Sequence, residues 1–244
     1  MTTPVLAHEI VDRPGPAARL LVLLHGYGEP ASDLRDRLDL IDPDGSFLAV
    51  VPEAPFERKG RAIWHRALSV PDEAEAQFRA SVAAVDALLG ALAAETGLAQ
   101  DQAVVGGFSQ GGGLALGLLL GADVAHRPAA GFGVCSFPPP VRGFRVHRAE
   151  AAGRPYLLSS ARQDHFAPIE ASRAGAVLLR DTGLDLTYVE SEGAHEMTDD
   201  AARQIGTWLA DLDGPGGVAS RGADLLAGVT ARSDLYDDLW HHVS

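Results

Sequence analysis

Cysteine is almost absent from this chain. Its 244 residues include one cysteine, Cys135, which excludes an intramolecular disulfide and a zinc or iron–sulfur site built from several thiolates. Long apolar runs are also missing: the longest candidate, Leu114–Ala122, is interrupted by glycine, whereas a membrane-spanning helix needs about 20 apolar residues. The first residues, Met1–Glu9, contain no cationic stretch followed by an apolar one, unlike a secretory signal. A cytoplasmic protein without a membrane span is therefore expected.

Basic residues are few relative to acidic ones. Lysine and arginine together number 20 against 33 aspartates and glutamates, so the formal net charge is −13. Such an acidic balance repels nucleic-acid phosphates and anionic lipid surfaces. Nucleic-acid binding is not expected, and the charge gives no support for a strongly anionic substrate. A small-molecule substrate is the expected partner, and the sequence leaves a homodimer open.

Short apolar runs alternate along the chain with longer segments of helical period. This alternation predicts an α/β fold with a mostly parallel central sheet and helices on both faces, because the runs are nearly continuous in apolar residues, as in strands buried on both sides. The predicted strands are Arg19–Leu24, Phe47–Pro52, Gln102–Gly106, Ala130–Cys135, Pro155–Ser159 and Leu186–Glu190. The predicted helices are Asp72–Thr96, Gln110–Leu120, Ile169–Asp181 and Thr198–Leu212.

The end of the chain differs from the rest. An Asp-Gly-Pro-Gly-Gly run follows Leu212 and breaks the helical pattern, so a single domain over 1–212 is expected. Five later apolar residues fall on one helical face: Leu235, Tyr236, Leu239, Trp240 and Val243. The sequence thus predicts a helical extension over 213–244. Packing on its own domain is favoured over a contact with a partner subunit or a lid over the pocket.

The most informative motif is Gly107-Phe108-Ser109-Gln110-Gly111. It fits G-x-S-x-G between an apolar strand and a helix, the context in which a serine nucleophile stands on a sharp turn. The glycines two residues before and after the serine avoid collisions in that turn, and the helix N-terminus favours a developing negative charge. The alternative is a glycine-rich turn that binds a phosphate or only packs tightly.

A serine hydroxyl needs a base to take its proton, and a histidine base needs a carboxylate to orient it. In this kind of sheet the chain order is serine, acid, histidine. Asp164 and His195 each follow a predicted strand, at the edge where ligands of open α/β sheets bind. The sequence therefore predicts a Ser109, Asp164, His195 triad.

Other residues remain as alternatives to the predicted acid and base. Asp185 and Glu192 are substitutes for the acid, although Asp185 lies at the wrong end of its strand. The alternative histidines are His165 beside Asp164, His126 and His147 before it in the chain, and His241 and His242 in the tail. His165 is interpreted as a residue of the pocket rim, His126 and His147 as surface residues. His241 or His242 could act only if the tail covered the pocket.

Acyl transfer also needs hydrogen-bond donors at the oxyanion. The run His25-Gly26-Tyr27-Gly28 follows the first central strand, where the companion loop of the nucleophile turn supplies one backbone N–H. The residue after the serine supplies the other. We therefore predict an oxyanion hole formed by the backbone N–H groups of Tyr27 and Gln110, with His25 packed in the loop rather than acting as a base.

These motifs together resemble the phospholipase/carboxylesterase family of α/β-hydrolases, which includes acyl-protein thioesterases and small bacterial carboxylesterases. The resemblance covers roughly residues 17–212 and rests on four runs: Leu24-His-Gly-Tyr-Gly, Gly106-Gly-Phe-Ser-Gln-Gly-Gly, Gln163-Asp-His-Phe-Ala-Pro and Gly193-Ala-His-Glu. It implies the α/β-hydrolase fold. The chain departs from the family where Ala161-Arg162-Gln163 replace the usual glycine before the acid, and in its longer tail.

The resemblance also implies a substrate pocket. Family members commonly carry a tryptophan after the second strand of this set, and Ile63-Trp64-His65 is similar, so Trp64 is a candidate pocket residue. Phe56, Phe137 and Phe166 are further candidates for an apolar wall, and the alternative for each aromatic is a place in the core.

The expected activity is hydrolysis of small or medium carboxylic esters through an acyl-enzyme, with no cofactor and no metal. Thioesters and lysophospholipids are alternative substrates that the resemblance implies. A non-catalytic binding module on the same fold is a further alternative. A cysteine-dependent lactone hydrolase is not favoured, because Cys135 is predicted at a strand end away from the nucleophile turn.

Overall fold

A computed structural model describes residues 6–11, 13–15, 17–67, 70–212 and 222–229, and the backbone of 240–243. Its strands are β1 (His8–Val11), β2 (Arg19–Leu24), β3 (Phe47–Pro52), β4 (Phe56–Arg58), β5 (Arg61–Ile63), β6 (Val104–Phe108), β7 (Ala130–Val134), β8 (Phe144–His147), β9 (Pro155–Ala161), β10 (Asp185–Ser191) and β11 (Trp240–Val243). Its α-helices are α1 (Ser32–Arg35), α2 (Leu38–Ile41), α3 (Pro71–Thr96), α4 (Gln110–Leu120), α5 (Arg148–Ala151), α6 (Ile169–Asp181) and α7 (Asp199–Asp211).

The central sheet has seven strands in the order β1-β3-β2-β6-β7-β9-β10. All neighbours pair in parallel except β1, which is antiparallel to β3 at the edge. The six predicted strands are present, although β6 begins at Val104 because Gln100–Gln102 form a 3-10 turn. The sequence did not predict β1, since this mostly exposed edge strand carries no continuous apolar run.

Both faces of the sheet are buried, as the side chains of β2 illustrate. Leu20, Val22 and Leu24 belong to one core cluster, whereas the alternate residues Leu21 and Leu23 belong to the other, as successive side chains of a strand point to opposite faces. Helices α3, α4 and α6 contribute to the first cluster, and α1, α2 and α7 to the second. The predicted arrangement of helices on both faces is confirmed.

Helix α3 has the length and composition of a membrane span. Among the described residues it is the one helix that passes this test, with a mean hydropathy of 1.2 over its 18-residue window. The sequence has no unbroken apolar run of that length, and α3 passes by composition because its apolar residues are spread along the helix. Half of the window is buried inside the fold, as is typical of a core helix.

The tail does not form the predicted helix at its end. Residues Trp240–Val243 are a strand, β11, paired in parallel with β8. Aromatic and β-branched residues favour strands, and the edge of β8 offers backbone groups that a helix would leave unpaired, which helical spacing alone does not reveal. Leu235, Tyr236 and Leu239 lie outside the described residues. The nearer segment 222–229 packs on the domain, since Leu226 belongs to the first core cluster.

Candidate active site

Ser109 stands on a strained turn between β6 and α4. Its backbone angles are φ 51° and ψ −113°, a conformation that L residues adopt at a cost of about 1–3 kcal/mol. The turn needs both flanking glycines, because a Cβ at Gly107 or Gly111 would collide with the carbonyl oxygen of Leu24. The G-x-S-x-G motif therefore forms the predicted turn.

The structure brings the three predicted triad residues together. Nε2 of His195 lies 2.9 Å from Oγ of Ser109, and Nδ1 of His195 lies 2.7 Å from Oδ2 of Asp164. Ser109 follows β6, Asp164 follows β9 and His195 follows β10, so the three residues meet at the carboxyl edge of the parallel strands. The arrangement is that of a serine nucleophile, a base and an orienting acid.

The Asp164 side chain is fully buried. Burial acts to raise the pKa of this carboxyl, but the backbone N–H of Ala167, the His195 imidazole and the backbone N–H of Phe166 outweigh it, and the pKa lies below its usual range. Both N–H groups donate to Oδ1, at 2.7 Å from Phe166 and 2.8 Å from Ala167. Asp164 is thus held as an acceptor for the histidine N–H.

Gln163 connects the acid loop to the histidine loop, a role that sequence reasoning missed. Its backbone N–H donates to the carbonyl of Gly193 at 2.9 Å, its side-chain oxygen accepts from the N–H of Gly193, and its Nε2 donates to Glu192 at 2.6 Å. The chain has Ala161-Arg162-Gln163 where a glycine was expected before the acid, and Asp164 nevertheless lies within hydrogen-bond distance of His195.

The alternative acids and bases have other partners. Glu192 interacts with Gln163 and Arg162, and Asp185 begins β10 at the opposite end of the strand. His126 pairs with Asp86, and Nδ1 of His147 accepts from the N–H of Glu150 at the start of α5.

His25 and the remaining histidines also fall outside the triad. His25 is fully buried: its Nδ1 donates to the carbonyl of Gly26 at 2.8 Å and its Nε2 accepts from the N–H of Ala54 at 3.1 Å. Burial lowers the pKa of His25, so it is a neutral structural residue, as predicted. His165 is exposed next to Asp164, and the side chains of His241 and His242 lie outside the described part of the chain.

The two predicted oxyanion donors border the same cavity as Ser109. Gln110 is the first residue of α4, where a backbone N–H has no partner within the helix. Around Tyr27, the N–H of Gly26 donates to Glu29 at 3.2 Å and the N–H of Gly28 donates to the carbonyl of Ala62 at 2.9 Å. Among the described residues, neither Tyr27 nor Gln110 donates its backbone N–H to a protein acceptor.

The side chain of Gln110 fixes a second loop to the nucleophile turn. Its oxygen accepts from the N–H of Trp64 at 3.3 Å, and its Nε2 donates to the carbonyl of His65 at 2.9 Å. The prediction that Trp64 lines the pocket is wrong. Trp64 is fully buried and its Nε1 donates to the carbonyl of His25 at 2.8 Å, which draws the ring beneath the Tyr27 loop and away from the cavity.

The cavity beside Ser109 has a volume of about 540 Å³ and a largely apolar wall that includes Phe78, Phe137 and Val141. Of the predicted aromatic residues, Phe137 and Phe166 border it. Phe56 does not border it; on the hairpin of β4 and β5, Arg58 reaches the cavity instead.

Aromatic rings flank the His195 imidazole. The ring of Phe108 lies 4.9 Å from it and that of Phe166 lies 5.1 Å away, centroid to centroid. Phe166 is nevertheless 79% exposed, which places an apolar side chain at the mouth of the cavity. The two rings therefore partly screen the His195 imidazole from water.

Two charged residues of the cavity wall were not predicted, Glu29 and Arg58. Burial raises the pKa of Glu29, against the backbone N–H of Gly26, which lowers it. Arg58 donates to the hydroxyl of Tyr27 at 3.0 Å. A sequence signal existed for Glu29, which directly follows His25-Gly26-Tyr27-Gly28, but none identified Arg58, since its hairpin is remote in the chain from every motif.

Cys135 lies closer to the triad than the sequence suggested. Cys135 Sγ, a carboxylate oxygen of Asp164 and a ring nitrogen of His195 all lie within 4.8 Å of one another. They are close because the end of β7 is next to the end of β9. Burial and the Asp164 carboxylate raise the pKa of the thiol to about 12. The raised pKa disfavours the thiolate form of Cys135, and the imidazole and the carboxylate bind each other.

A serine on a strained turn, hydrogen-bonded to a histidine that is itself hydrogen-bonded to an aspartate, at the carboxyl edge of a mostly parallel sheet, defines an α/β-hydrolase. Residues 6–212 match the family model described as phospholipase/carboxylesterase. The chain belongs to this family, which consists of hydrolases of the carboxylesterase and thioesterase type.

Known relatives agree with this assignment. The chain is 24% identical over 203 residues to the putative hydrolase MhqD of Bacillus subtilis (strain 168). The aligned residues cover 81% of this chain and 95% of MhqD. The fold is shared with the Bacillus cereus carboxylesterase, at a TM-score of 0.73 and 19% identity, covering 84% of this chain and 93% of that one. The fold is also shared with Zea mays acyl-protein thioesterase 2, at a TM-score of 0.68 and 18% identity. That match covers 84% of this chain and 97% of the thioesterase chain.

Proposed function

We propose that the protein is a serine hydrolase that cleaves small or medium carboxylic esters through an acyl-enzyme. The observation that carries the proposal is the continuous path from Ser109 through His195 to Asp164, with contacts of 2.9 Å and 2.7 Å. Family membership and the apolar cavity beside Ser109 support it.

The proposed reaction has two halves. Ser109 Oγ attacks the ester carbonyl carbon while its proton passes to His195 Nε2, and the carbonyl oxygen becomes an oxyanion bound by the N–H groups of Tyr27 and Gln110. The carbonyl re-forms, the bond to the alcohol oxygen breaks, and His195 returns the proton to the leaving alcohol. Water then attacks the acyl-enzyme by the same route, which releases the carboxylic acid and restores the Ser109 hydroxyl.

The decisive experiment is labelling with a fluorophosphonate, followed by mass spectrometry of the peptide that contains Ser109. We expect one adduct on Ser109, and a loss of p-nitrophenyl butyrate turnover by at least about a thousandfold in Ser109→Ala. Ser32→Ala, on α1, is the matched serine control and should behave as wild type. Turnover that survived in Ser109→Ala, or a folded protein without an adduct, would refute the proposal and favour a binding module.

The acid is tested by Asp164→Asn. The amide oxygen can still accept from Phe166 and Ala167, but the amide N–H₂ cannot hold the histidine in the required tautomer, so kcat should fall on the order of 10³-fold or more while the melting temperature changes little. Steady-state kinetics and thermal unfolding measure the two effects. A kcat within a factor of about ten of wild type would remove Asp164 from the mechanism.

The choice between an oxygen ester and a thioester is a separate measurement. The same residues can open either bond, because only the leaving atom differs. We propose the oxygen ester as the preferred substrate, and kcat/KM for butyrate esters against the butyryl thioester of the same apolar group measures the preference. A higher kcat/KM for the thioester would replace this part of the proposal with thioesterase activity.

A further inference from the structure

The hairpin of β4 and β5 carries three cations, Arg58, Lys59 and Arg61, which we call the basic hairpin. Lys59 and Gly60 form its turn, both with positive φ, 53° and 73°, as in a tight two-residue hairpin. Arg58 and Arg61 stand directly opposite each other across the strands, and like charges in that position destabilise a hairpin. The local sequence therefore works against the stability of this element.

No acid of the described residues neutralises these cations. Most other arginines pair with an acid, as Arg13 does with Asp39 and Arg145 with Asp123, but the described ion pairs include none of the three hairpin cations. The neighbouring acid, Glu57, accepts instead from the N–H of Gly60 at 3.2 Å. In a chain with a net charge of −13, this is a concentration of unpaired positive charge.

The basic hairpin is joined to the catalytic loops. The N–H of Gly28 donates to the carbonyl of Ala62 at 2.9 Å, and the Arg61 side chain packs against Gly28. Arg58 donates to the hydroxyl of Tyr27 and borders the cavity that contains Ser109 and His195. A group bound by Arg58 would thus lie in the same cavity as the scissile ester.

We propose that the basic hairpin binds an anionic group of the ester substrate, a carboxylate or a phosphate, through Arg58. This inference rests on the proposed ester hydrolysis and names its substrate class: an ester with an apolar portion on one side and an anion on the other. A guanidinium offers planar paired donors that suit both anions. The apolar wall at Phe78, Phe137 and Val141 accommodates the other portion of the ester.

Glu29 shares the cavity with Arg58, so its charge bears on anion binding. Its carboxylate accepts from the N–H of Gly26, which ties it to the base of the loop. Burial raises its pKa, against the backbone N–H of Gly26, which lowers it. The net charge of the whole molecule repels anions, but salt screens it over about 10 Å at 0.1 M, whereas a contact with Arg58 is screened far less.

The test uses a matched pair of fluorogenic esters, 7-butyryloxycoumarin-3-carboxylate and its 3-carboxamide, which differ in one negative charge. The readout is the ratio of kcat/KM for the anionic ester to that for the neutral one. Arg58→Gln should lower this ratio about tenfold, the loss expected for one charged hydrogen bond, and Arg58→Lys should lower it less. An analogous ester with a phosphate in place of the carboxylate shows which anion Arg58 prefers.

Two control variants separate charge from structure. Arg180→Gln, an exposed arginine on α6, changes the net charge equally and should leave the ratio unchanged. Tyr27→Phe removes the hydrogen bond between Arg58 and the Tyr27 hydroxyl but keeps the cation, so any effect should fall on both esters alike. If Arg58→Gln lowers kcat/KM for both esters by the same factor, Arg58 acts only on the loop and the inference is wrong.

A binding measurement keeps the inference independent of turnover. In the Ser109→Ala background, the affinity for the free coumarin-3-carboxylate is measured by fluorescence titration with and without Arg58→Gln. Weaker binding by about tenfold in the double variant supports the anion site even if neither ester is hydrolysed. An unchanged affinity overturns the anion site even if hydrolysis is normal, so failure of the proposed function and failure of this inference give different results.

Discussion

Two of the residues with unusual backbone angles, Ser109 and Cys135, lie at the candidate active site. Among the described residues, Lys59, Ser109 and Cys135 are the non-glycine residues with positive φ. Ser109 is the nucleophile of the proposed reaction, Cys135 lies beside Asp164, and Lys59 is in the turn of the basic hairpin. Such conformations persist only where the surrounding structure enforces them, so local strain and the proposed chemistry coincide.

The nucleophile turn predicts a difference between two glycines of α4. Gly111→Ala should lower the free energy of unfolding by at least about 2 kcal/mol, because its Cβ would overlap the Leu24 carbonyl. Gly113→Ala is the control: its Cβ would make only an ordinary contact of 3.6 Å with the Phe137 carbonyl, and alanine suits a helix better than glycine. Urea denaturation measures both. Equal stabilities would mean that Gly111 is not needed for the turn.

Glu29 makes stability depend on pH. Its pKa is raised by burial in the folded state, so its contribution to stability is fully present below its unfolded pKa and is lost as the pH rises through the folded value. Glu29→Gln keeps an acceptor for Gly26 and never ionises. The variant should therefore be more stable relative to wild type at pH 8 than at pH 4, measured by urea denaturation at both values. A difference that is constant or larger at pH 4 contradicts this account.

The sequence predicted which side chains meet in the triad better than which side chains line the pocket. Ser109, Asp164 and His195 could be predicted to meet because such a triad demands set residue types in a set chain order. Trp64 was misplaced because an aromatic ring fits a core and a pocket wall equally well, and its hydrogen bond to His25 holds it in the core. Phe56 belongs to neither the buried core nor the cavity wall.

At the scale of elements, the regular strands and helices were predictable and the edges were not. Helices α4 and α6 have the predicted bounds, although α4 is buried on nearly all sides after Gln110 and has no single apolar face. The strand β11 replaces a predicted helix because its partner β8 is about a hundred residues away in the chain, and pairing between remote edges leaves no local pattern.

Helix α7 begins directly after the His195 loop, and its cap can be tested. The Thr198 hydroxyl accepts from the N–H of Ala201 at 3.1 Å, so Thr198→Ala should lower the free energy of unfolding by about 1 kcal/mol. Thr207→Ala, within the same helix, is the control and should change it by less than about 0.5 kcal/mol. Chemical denaturation compares the two. Equal effects would show that the cap does not hold this end of α7.

At the scale of the whole molecule, topology assembles the site. The parallel order of β6, β7, β9 and β10 brings the loops after these strands to one edge, which is why residues separated by 86 positions, Ser109 and His195, share a hydrogen bond. The same topology places Cys135 beside Asp164, where burial keeps the thiol protonated.

The acidic balance predicts a response to salt. A net charge of −13 destabilises the compact state through self-repulsion, and salt shortens the range of that repulsion. Raising NaCl from about 0.01 M to about 0.3 M at pH 8 should raise the melting temperature by a few degrees. The same series near the isoelectric point of about 5.0 should give a smaller rise. An equal or larger rise there would mean that self-repulsion is not the cause.

The amino-acid sequence by itself determined the sheet, its main helices and the residues of the triad, because buried strands, helical stripes and the glycines around Ser109 are patterns of neighbouring residues. Only the tertiary structure decided which aromatic rings border the cavity, that Cys135 adjoins Asp164, and that the basic hairpin joins the Tyr27 loop. Those outcomes depend on contacts between segments far apart in the chain, whose geometry is set by the packing of the whole fold.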